Sequence, residues 1–399
     1  MMMPRVRVQH SVEVPDLLRL SRYRKYPELG PKVLFFSGGT ALNGLSRELK
    51  NFTHNSIHLV TPFDSGGSSA ELRRAFNMPA IGDLRARLMA LADETILGHP
   101  EITQLFNHRL SREGRAKSLR HELEQLAAGK SALMKDVSSP MRSVIRNHLG
   151  YFLEAMPADF DLRGASIGNL ILTGGYLNQN QDIDPILFLF SRLVNVQGTV
   201  RAIVNDTAHL GAVLRDGQEI LGQHRLTGKE VAPLDSPIAR LFLSSDAQRR
   251  RDVCPKLGKK NRKLIESADL ICFPPGSYYS SLRANLLPHG VGCAVANNPN
   301  PKVYVPNLAQ DPEQAGHSFS ELLDGLIDAL RHDGGGHQPD GKWLDFVLVD
   351  RKNGSYPKGL SRQHLARKGV ELIDLPLISK TSAPYYDNEL LVHALLSLA

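Results

Sequence analysis

Lys32-Val33-Leu34-Phe35-Phe36-Ser37-Gly38-Gly39-Thr40 is an apolar run of strand length closed by two glycines, and Leu42, Leu45 and Leu49 follow at helical spacing. This reads as strand, glycine turn and helix. The pattern repeats: Ile57-His58-Leu59-Val60 is a second strand, Asp64-Ser65-Gly66-Gly67-Ser68-Ser69 a turn, and Glu71-Leu72-Arg73-Arg74-Ala75-Phe76 opens a helix. Two successive βα units predict an α/β fold with a mostly parallel sheet.

From 94 to 195 strand signals vanish, and segments 101–110, 115–128, 141–156, 165–177 and 183–193 carry helical periodicity, which predicts a helical insertion. Between 198 and 244 the pattern turns to β. Asp216-Gly217 between apolar segments is a hairpin signal, so a small antiparallel excursion is expected there. Strands then resume at 270–273, 302–305, 346–349 and 370–373, completing the sheet. The reading is an N-terminal extension over 1–32 and one α/β domain over 33–399. His332-Asp333-Gly334-Gly335-Gly336-His337 reads as a glycine turn rather than a metal site.

The chain has 399 residues, of which 42% are hydrophobic and 22% charged, with a formal net charge of +7. That composition excludes disordered and collagenous classes. Cys254, Cys272 and Cys293 are too far apart for a zinc pair and too few for a disulfide scaffold. No apolar run reaches the roughly 18 residues that cross a bilayer, and no secretory core is present at the start, so a cytoplasmic location without a membrane partner is expected. Residues 249–263 hold eight Lys or Arg and one Asp, which accounts for the whole net charge. One local basic loop without stacking aromatics argues against nucleic acid and leaves a solvated loop or a lid over an anion.

Ser37-Gly38-Gly39-Thr40 ends a strand and opens a helix, so its N–H groups form either a phosphate seat or a tight structural turn. It lacks the Walker lysine and the further glycines of the dinucleotide fingerprint. Asp64 falls 25 residues after Gly39, where it could hold a ribose, or a Mg²⁺ that bridges phosphates cradled by Gly66, Gly67, Ser68 and Ser69. Those serines equally suit helix N-caps, as does Asp83 in Gly82-Asp83-Leu84-Arg85; Arg85 and Arg87 read as solvent-facing or as anion contacts. Pro274-Pro275-Gly276-Ser277-Tyr278-Tyr279-Ser280-Ser281 repeats the strand-to-helix geometry, with hydroxyl donors, and is a second anion-seat candidate. Gly164-Ala165-Ser166-Ile167-Gly168 matches a nucleophile elbow, but no apolar strand precedes it and it reads as helix packing.

Phe-Phe-Ser-Gly-Gly-Thr at 35–40, Asp-Ser-Gly-Gly-Ser-Ser at 64–69, Gly-Asp-Leu-Arg at 82–85, Gly-Asn-Leu at 168–170 and Pro-Gly-Ser-Tyr-Tyr-Ser-Ser-Leu at 275–282 stand in the order of the CofD/YvcK superfamily. The chain resembles that superfamily from about Val33 to Asn307. The resemblance implies a Rossmann-like sheet with extra helices. It also implies one of two activities: a Mg²⁺-dependent transferase of the 2-phospho-L-lactate type using a nucleoside-diphosphate-linked donor, or a YvcK-like UDP-sugar-binding regulator of cell envelope or carbon metabolism. By motif, Gly38, Gly39 and Thr40 would contact nucleotide or phosphate, Asp64 the metal, and Asn169, Gly276 and Ser277 the ligand. Where the family carries two acids in the second loop, Phe63 stands at the first position here. The glycine-serine loops look closer to the YvcK branch.

Transfer to or from a phosphate needs positioning, a cation and donors for developing charge, which Asp64 and the two turns would supply. None of the 15 His falls inside these motifs, so no general base is visible, as a non-catalytic binder would also show. Transferase and sensor both stay open, as does self-association.

Overall fold

The computed structural model describes residues 11–228, 232–308, 311–334 and 343–399. Helix α1 (Leu17–Lys25) starts where the Asp16 carboxylate accepts the Arg19 N–H. Then come β1 (Val33–Ser37), α2 (Asn43–Leu49), β2 (Ile57–Val60), α3 (Gly67–Phe76) and α4 (Gly82–Leu91). Five helices fill the stretch read as an insertion: α5 (Pro100–Asn107), α6 (Ala116–Ala127), α7 (Ser139–Ala155), α8 (Ile167–Asn178) and α9 (Asp184–Leu193). Pro100, Pro140 and Pro185 sit in first turns, where a missing N–H is harmless.

Four strands follow: β3 (Thr199–Ala202), β4 (His209–Leu214), β5 (Glu219–Leu221) and β6 (Ile238–Ser244). The chain continues through α10 (Lys259–Glu266), β7 (Leu270–Phe273), α11 (Val291–Asn297), β8 (Lys302–Tyr304), α12 (Phe319–Gly334), β9 (Phe346–Val349), α13 (Arg362–Arg367), β10 (Glu371–Asp374) and α14 (Asn388–Ser397). No helix among the described residues is long and apolar enough to cross a membrane.

Seven strands form one parallel sheet in the order β10-β9-β8-β7-β1-β2-β3. From β1 the chain builds outward through β2 to β3, then returns to lay β7 on the other side of β1 and continues to β10. The direction of growth therefore reverses between β1 and β7, which is the switch point where open α/β sheets bind ligands beyond their carboxyl edges. All five residues of β1 are buried, as a central parallel strand requires. Leu34 and Phe36 pack with α10 to α13, whereas Val33 and Phe35 face a layer built by α1, α2 and α14. Burying Phe36 alone is worth about 1.5–3 kcal/mol. The inserted helices have their own cluster, tied to the sheet through Val60, Val200 and Ala202.

Three expectations change. Thr199–Ala202 pairs with β2 in the main sheet, so the antiparallel excursion is narrower and consists of β5-β4-β6. Its hairpin turns at Asp216-Gly217, with Gly217 at φ +90. The basic stretch 249–263 is not one free loop: Arg250 pairs with Glu219 and Asp252 and lies 4.4 Å over the Phe242 ring, while Lys259 opens α10. His332 and Asp333 lie in α12 rather than in a turn; positions 335–337 fall outside the described residues. Ser166 directly precedes α8 and is fully buried, with its hydroxyl donating to the Phe106 carbonyl, which is no nucleophile elbow.

Candidate functional site

The turns after β1 and β7 touch at the switch point. Gly39 has φ +63 and Gly276 φ +144, both in the region that favours glycine. A Cβ on Gly38 would come within 3.0 Å of Ser281 and Thr61, and one on Gly276 would reach the Ala41 Cβ at 3.7 Å. Asn285 fastens the two turns, its amide donating to the carbonyls of Ser37 at 2.8 Å and Ser281 at 2.9 Å. Among the described residues, the N–H groups of Gly38, Thr40, Gly276 and Ser277 make no hydrogen bond.

The Gly39 N–H differs, because it donates to Asp83 Oδ2 at 2.6 Å. Asp83 is not the N-cap of α4. That position is Ile81, and the carboxylate reaches across to the first turn. Asp64 Oδ1 accepts the Gly66 N–H at 3.0 Å. Its carboxyl is pushed up to about 6, first by burial and then by the charge of Asp83, against the opposing pull of the Gly66 N–H, Arg73 and Ser69. This loop carboxylate is thus partly withdrawn from water. Phe63, at the position of the missing acid, is wholly buried in the core. The partner acid comes instead from α4, within the Gly-Asp-Leu-Arg motif that the sequence displayed but that reads there as a cap.

Three buried arginines surround this pair, and none makes a salt bridge among the described residues. Arg73 donates to the carbonyls of Phe63 at 3.1 Å and Asp64 at 3.0 Å. Arg87 donates to Ser46 Oγ at 2.6 Å and the Gly39 carbonyl at 3.3 Å. Arg85 donates to Asn169 Oδ1 at 2.9 Å. Burial lowers each to about 10, which leaves them charged at neutral pH. Arg85 and Arg87 are therefore neither solvent-facing nor free: Arg87 holds the first turn through the Gly39 carbonyl, and Arg85 ties α4 to Asn169.

In the second loop, Gly66 is the N-cap of α3 and no side chain caps it, so Ser68 and Ser69 lie inside the first turn. Gly67 has φ +51. Ser69 is buried against Gly82, where a Cβ would approach its hydroxyl to 2.7 Å, so the starts of α3 and α4 abut. Ser65 Oγ accepts the His224 N–H at 3.2 Å and lies 2.8 Å from His224 Nδ1. This histidine, from the turn after β5, was missed because it is 159 residues from its partner; the Asp-Gly hairpin was its only local signal.

The second helix start departs most from expectation. The Tyr278 N–H donates to Asp311 Oδ2 at 2.9 Å, and those of Tyr279 and Ser280 donate to Glu313 Oε2 at 2.8 Å each. Ser280 Oγ also donates to Glu313, and the Tyr279 hydroxyl donates to the Ile238 carbonyl. Burial and then Asp311 push Glu313 up to about 7. These donors already hold the protein's own carboxylates, so only Gly276 and Ser277 keep open N–H groups.

Among the described residues no group of three or more His, Cys, Asp or Glu could hold a metal. Two neighbouring carboxylates, with Asp64 raised in part by the charge of Asp83, do suit a Mg²⁺, which commonly takes one or two protein carboxylates and completes its shell with water and phosphate oxygens.

Fold and site together define a doubly wound α/β protein with two glycine turns in contact at its switch point. The chain belongs to the CofD family: the model for 2-phospho-L-lactate transferase CofD matches residues 33–378. It is 29% identical over 323 residues to the gluconeogenesis factor of Bacillus subtilis, covering 81% of this chain and 80% of that protein. A putative gluconeogenesis factor of Thermotoga maritima is 29% identical over 331 residues, with the same coverage. A crystal structure of a UPF0052 family member from Bacillus halodurans superposes with a TM-score of 0.67 at 26% identity, covering 92% of this chain and 99% of that one.

Proposed function

We propose that this site binds a nucleoside diphosphate conjugate together with Mg²⁺ and transfers its phospho-linked group to an acceptor, in the manner that the name 2-phospho-L-lactate transferase describes. One observation carries this reading: the unengaged N–H groups of Gly38, Thr40, Gly276 and Ser277 and the Asp64–Asp83 pair meet at the same switch point. The glycine turns would take the diphosphate oxygens, and Gly66, Gly67, Ser68 and Ser69 at the start of α3 would cradle its far end. Asp64 and Asp83 would hold the Mg²⁺, which when bound supplies positive charge between the phosphates. Arg73 and Arg87 fix the two loops through their carbonyls, so the donors are arranged before the ligand arrives.

A second reading is favoured by the relatives named gluconeogenesis factors: a regulator that binds a nucleotide sugar at this site without turnover. Titration of GDP, UDP, UDP-sugars and mononucleotides with and without Mg²⁺, followed by analysis for released mononucleotide in the presence of hydroxyl acceptors, separates the two. Release supports the transferase. Tight UDP-sugar binding without release supports the regulator, and affinity no better than about millimolar, worth about 4 kcal/mol, defeats both. Either role suits a cytoplasmic protein.

A further inference from the structure

The transferase reading lacks a group to take the acceptor's proton, and the fold brings one to the second loop. His224 follows β5, and its backbone N–H and Nδ1 both meet Ser65 Oγ, at 3.2 and 2.8 Å, in the residue next to Asp64. The ring has a built seat. Gly222, at φ +104, would carry a Cβ 2.9 Å from His224 Cε1 and 3.2 Å from Nδ1, so any side chain there would displace the imidazole. Thr227 Oγ1 donates to the His224 carbonyl at 3.2 Å and fixes the turn from the other side. Nε2 has no hydrogen-bond partner among the described residues and is not sealed in the interior.

Resting on the transferase reading, we propose that His224 is the general base of this site, with Ser65 as its positioning residue. Ser65 Oγ has two lone pairs, and it accepts both the backbone N–H and the Nδ1–H of His224. The ring proton is thereby held on Nδ1, and the Nε2 lone pair stays available for a proton. The acceptor's hydroxyl oxygen forms a new P–O bond to the phosphorus that carries the transferred group. Its proton passes to Nε2. The phosphoanhydride P–O bond breaks, and the nucleoside monophosphate leaves with the electron pair. No redox partner is needed, and the proton returns to water when the products depart.

The test uses the full chain. Nitrogen-15 NMR of the imidazoles should show His224 with its proton on Nδ1, and addition of GDP with Mg²⁺ should shift its resonances. His224→Gln should bind GDP within about twofold of the wild type yet release mononucleotide about 10²- to 10⁴-fold more slowly. His224→Ala should regain part of that rate when imidazole is added, which a merely structural residue would not allow. A proton on Nε2, resonances unmoved by bound GDP, or undiminished release by His224→Gln would each overturn the assignment while leaving the nucleotide site standing. Failure of the wild type to bind GDP or UDP conjugates, or binding without release, would remove the transferase reading and this base with it.

Discussion

After β1, the N–H groups of Gly38 and Thr40 are unengaged and only that of Gly39 is held by a carboxylate, whereas after β7 the three donors at 278–280 are all held by Asp311 and Glu313. Both stretches read alike in sequence, as an apolar strand, a glycine and a helix. What separates them is the origin of the opposing carboxylate. Glu313 is 2% exposed and belongs to the segment running beside the second turn, so it is a permanent part of the core. Asp83 belongs to a pair with Asp64, whose carboxyl is raised by burial and by the charge of Asp83. A buried acid whose oxygens satisfy several backbone donors builds structure; two neighbouring acids at a sheet edge are suited to a cation.

The largest effect should come from breaking the filled turn. Glu313→Ala strips the N–H groups of Tyr279 and Ser280 of their acceptor inside the core, and we expect a loss of about 3 kcal/mol in denaturant unfolding. GDP affinity in the folded fraction should be little changed. If unfolding is unaffected, these donors are not structural, and the contrast between the turns disappears.

Asp64→Asn should act the other way. The folded carboxyl sits at about 6 against 3.8 when free, so its ionisation opposes folding progressively as pH rises from about 4 to 6 and fully above that. Without divalent cation, the variant should therefore be more stable than the wild type by about 1–2 kcal/mol at pH 7.5, an advantage that fades as pH falls towards 4. The shift alone corresponds to about 3 kcal/mol, reduced here for partial exposure to solvent. Added Mg²⁺ should raise the melting temperature of the wild type and leave the variant unmoved. A variant less stable than the wild type at pH 7.5 would place Asp64 with Glu313 as a structural acid.

The smallest effect concerns the start of α10 and its neighbours. Neutralising Lys259, Lys260 and Lys263 should slow GDP association a few-fold at low salt, with no change at 0.5 M salt and stability held within about 0.5 kcal/mol. A rate equal to the wild type at low salt would remove this region from ligand capture.

Much of the fold was legible because central parallel strands are short and, His58 apart, apolar, as 33–36, 57–60 and 270–273 are, and because the inserted helices keep strong 3.6-residue periodicity. β3 was misplaced because Thr-Val-Arg-Ala alternates like an antiparallel strand, being an edge strand with one side less covered. Site residues within one loop were visible as motifs. The roles set by long-range contacts were not: Asp83 meets Gly39 across 44 residues, Glu313 meets Ser280 across 33, and His224 meets Ser65 across 159. A carboxylate one residue into a helix looks like a cap until the donor it accepts from is known.

The central claim is that the Asp64–Asp83 pair couples a cation to a diphosphate at the switch point. It is tested most directly by calorimetric titration of GDP into the wild type and Asp83→Asn, each with and without Mg²⁺. Asparagine can still accept the Gly39 N–H, so the turn should persist while the charge is lost. With Mg²⁺ the wild type should bind GDP tighter than millimolar, and removal of either the cation or the Asp83 charge should weaken binding by at least about tenfold, or 1.4 kcal/mol. Equal affinity under all four conditions would contradict the account.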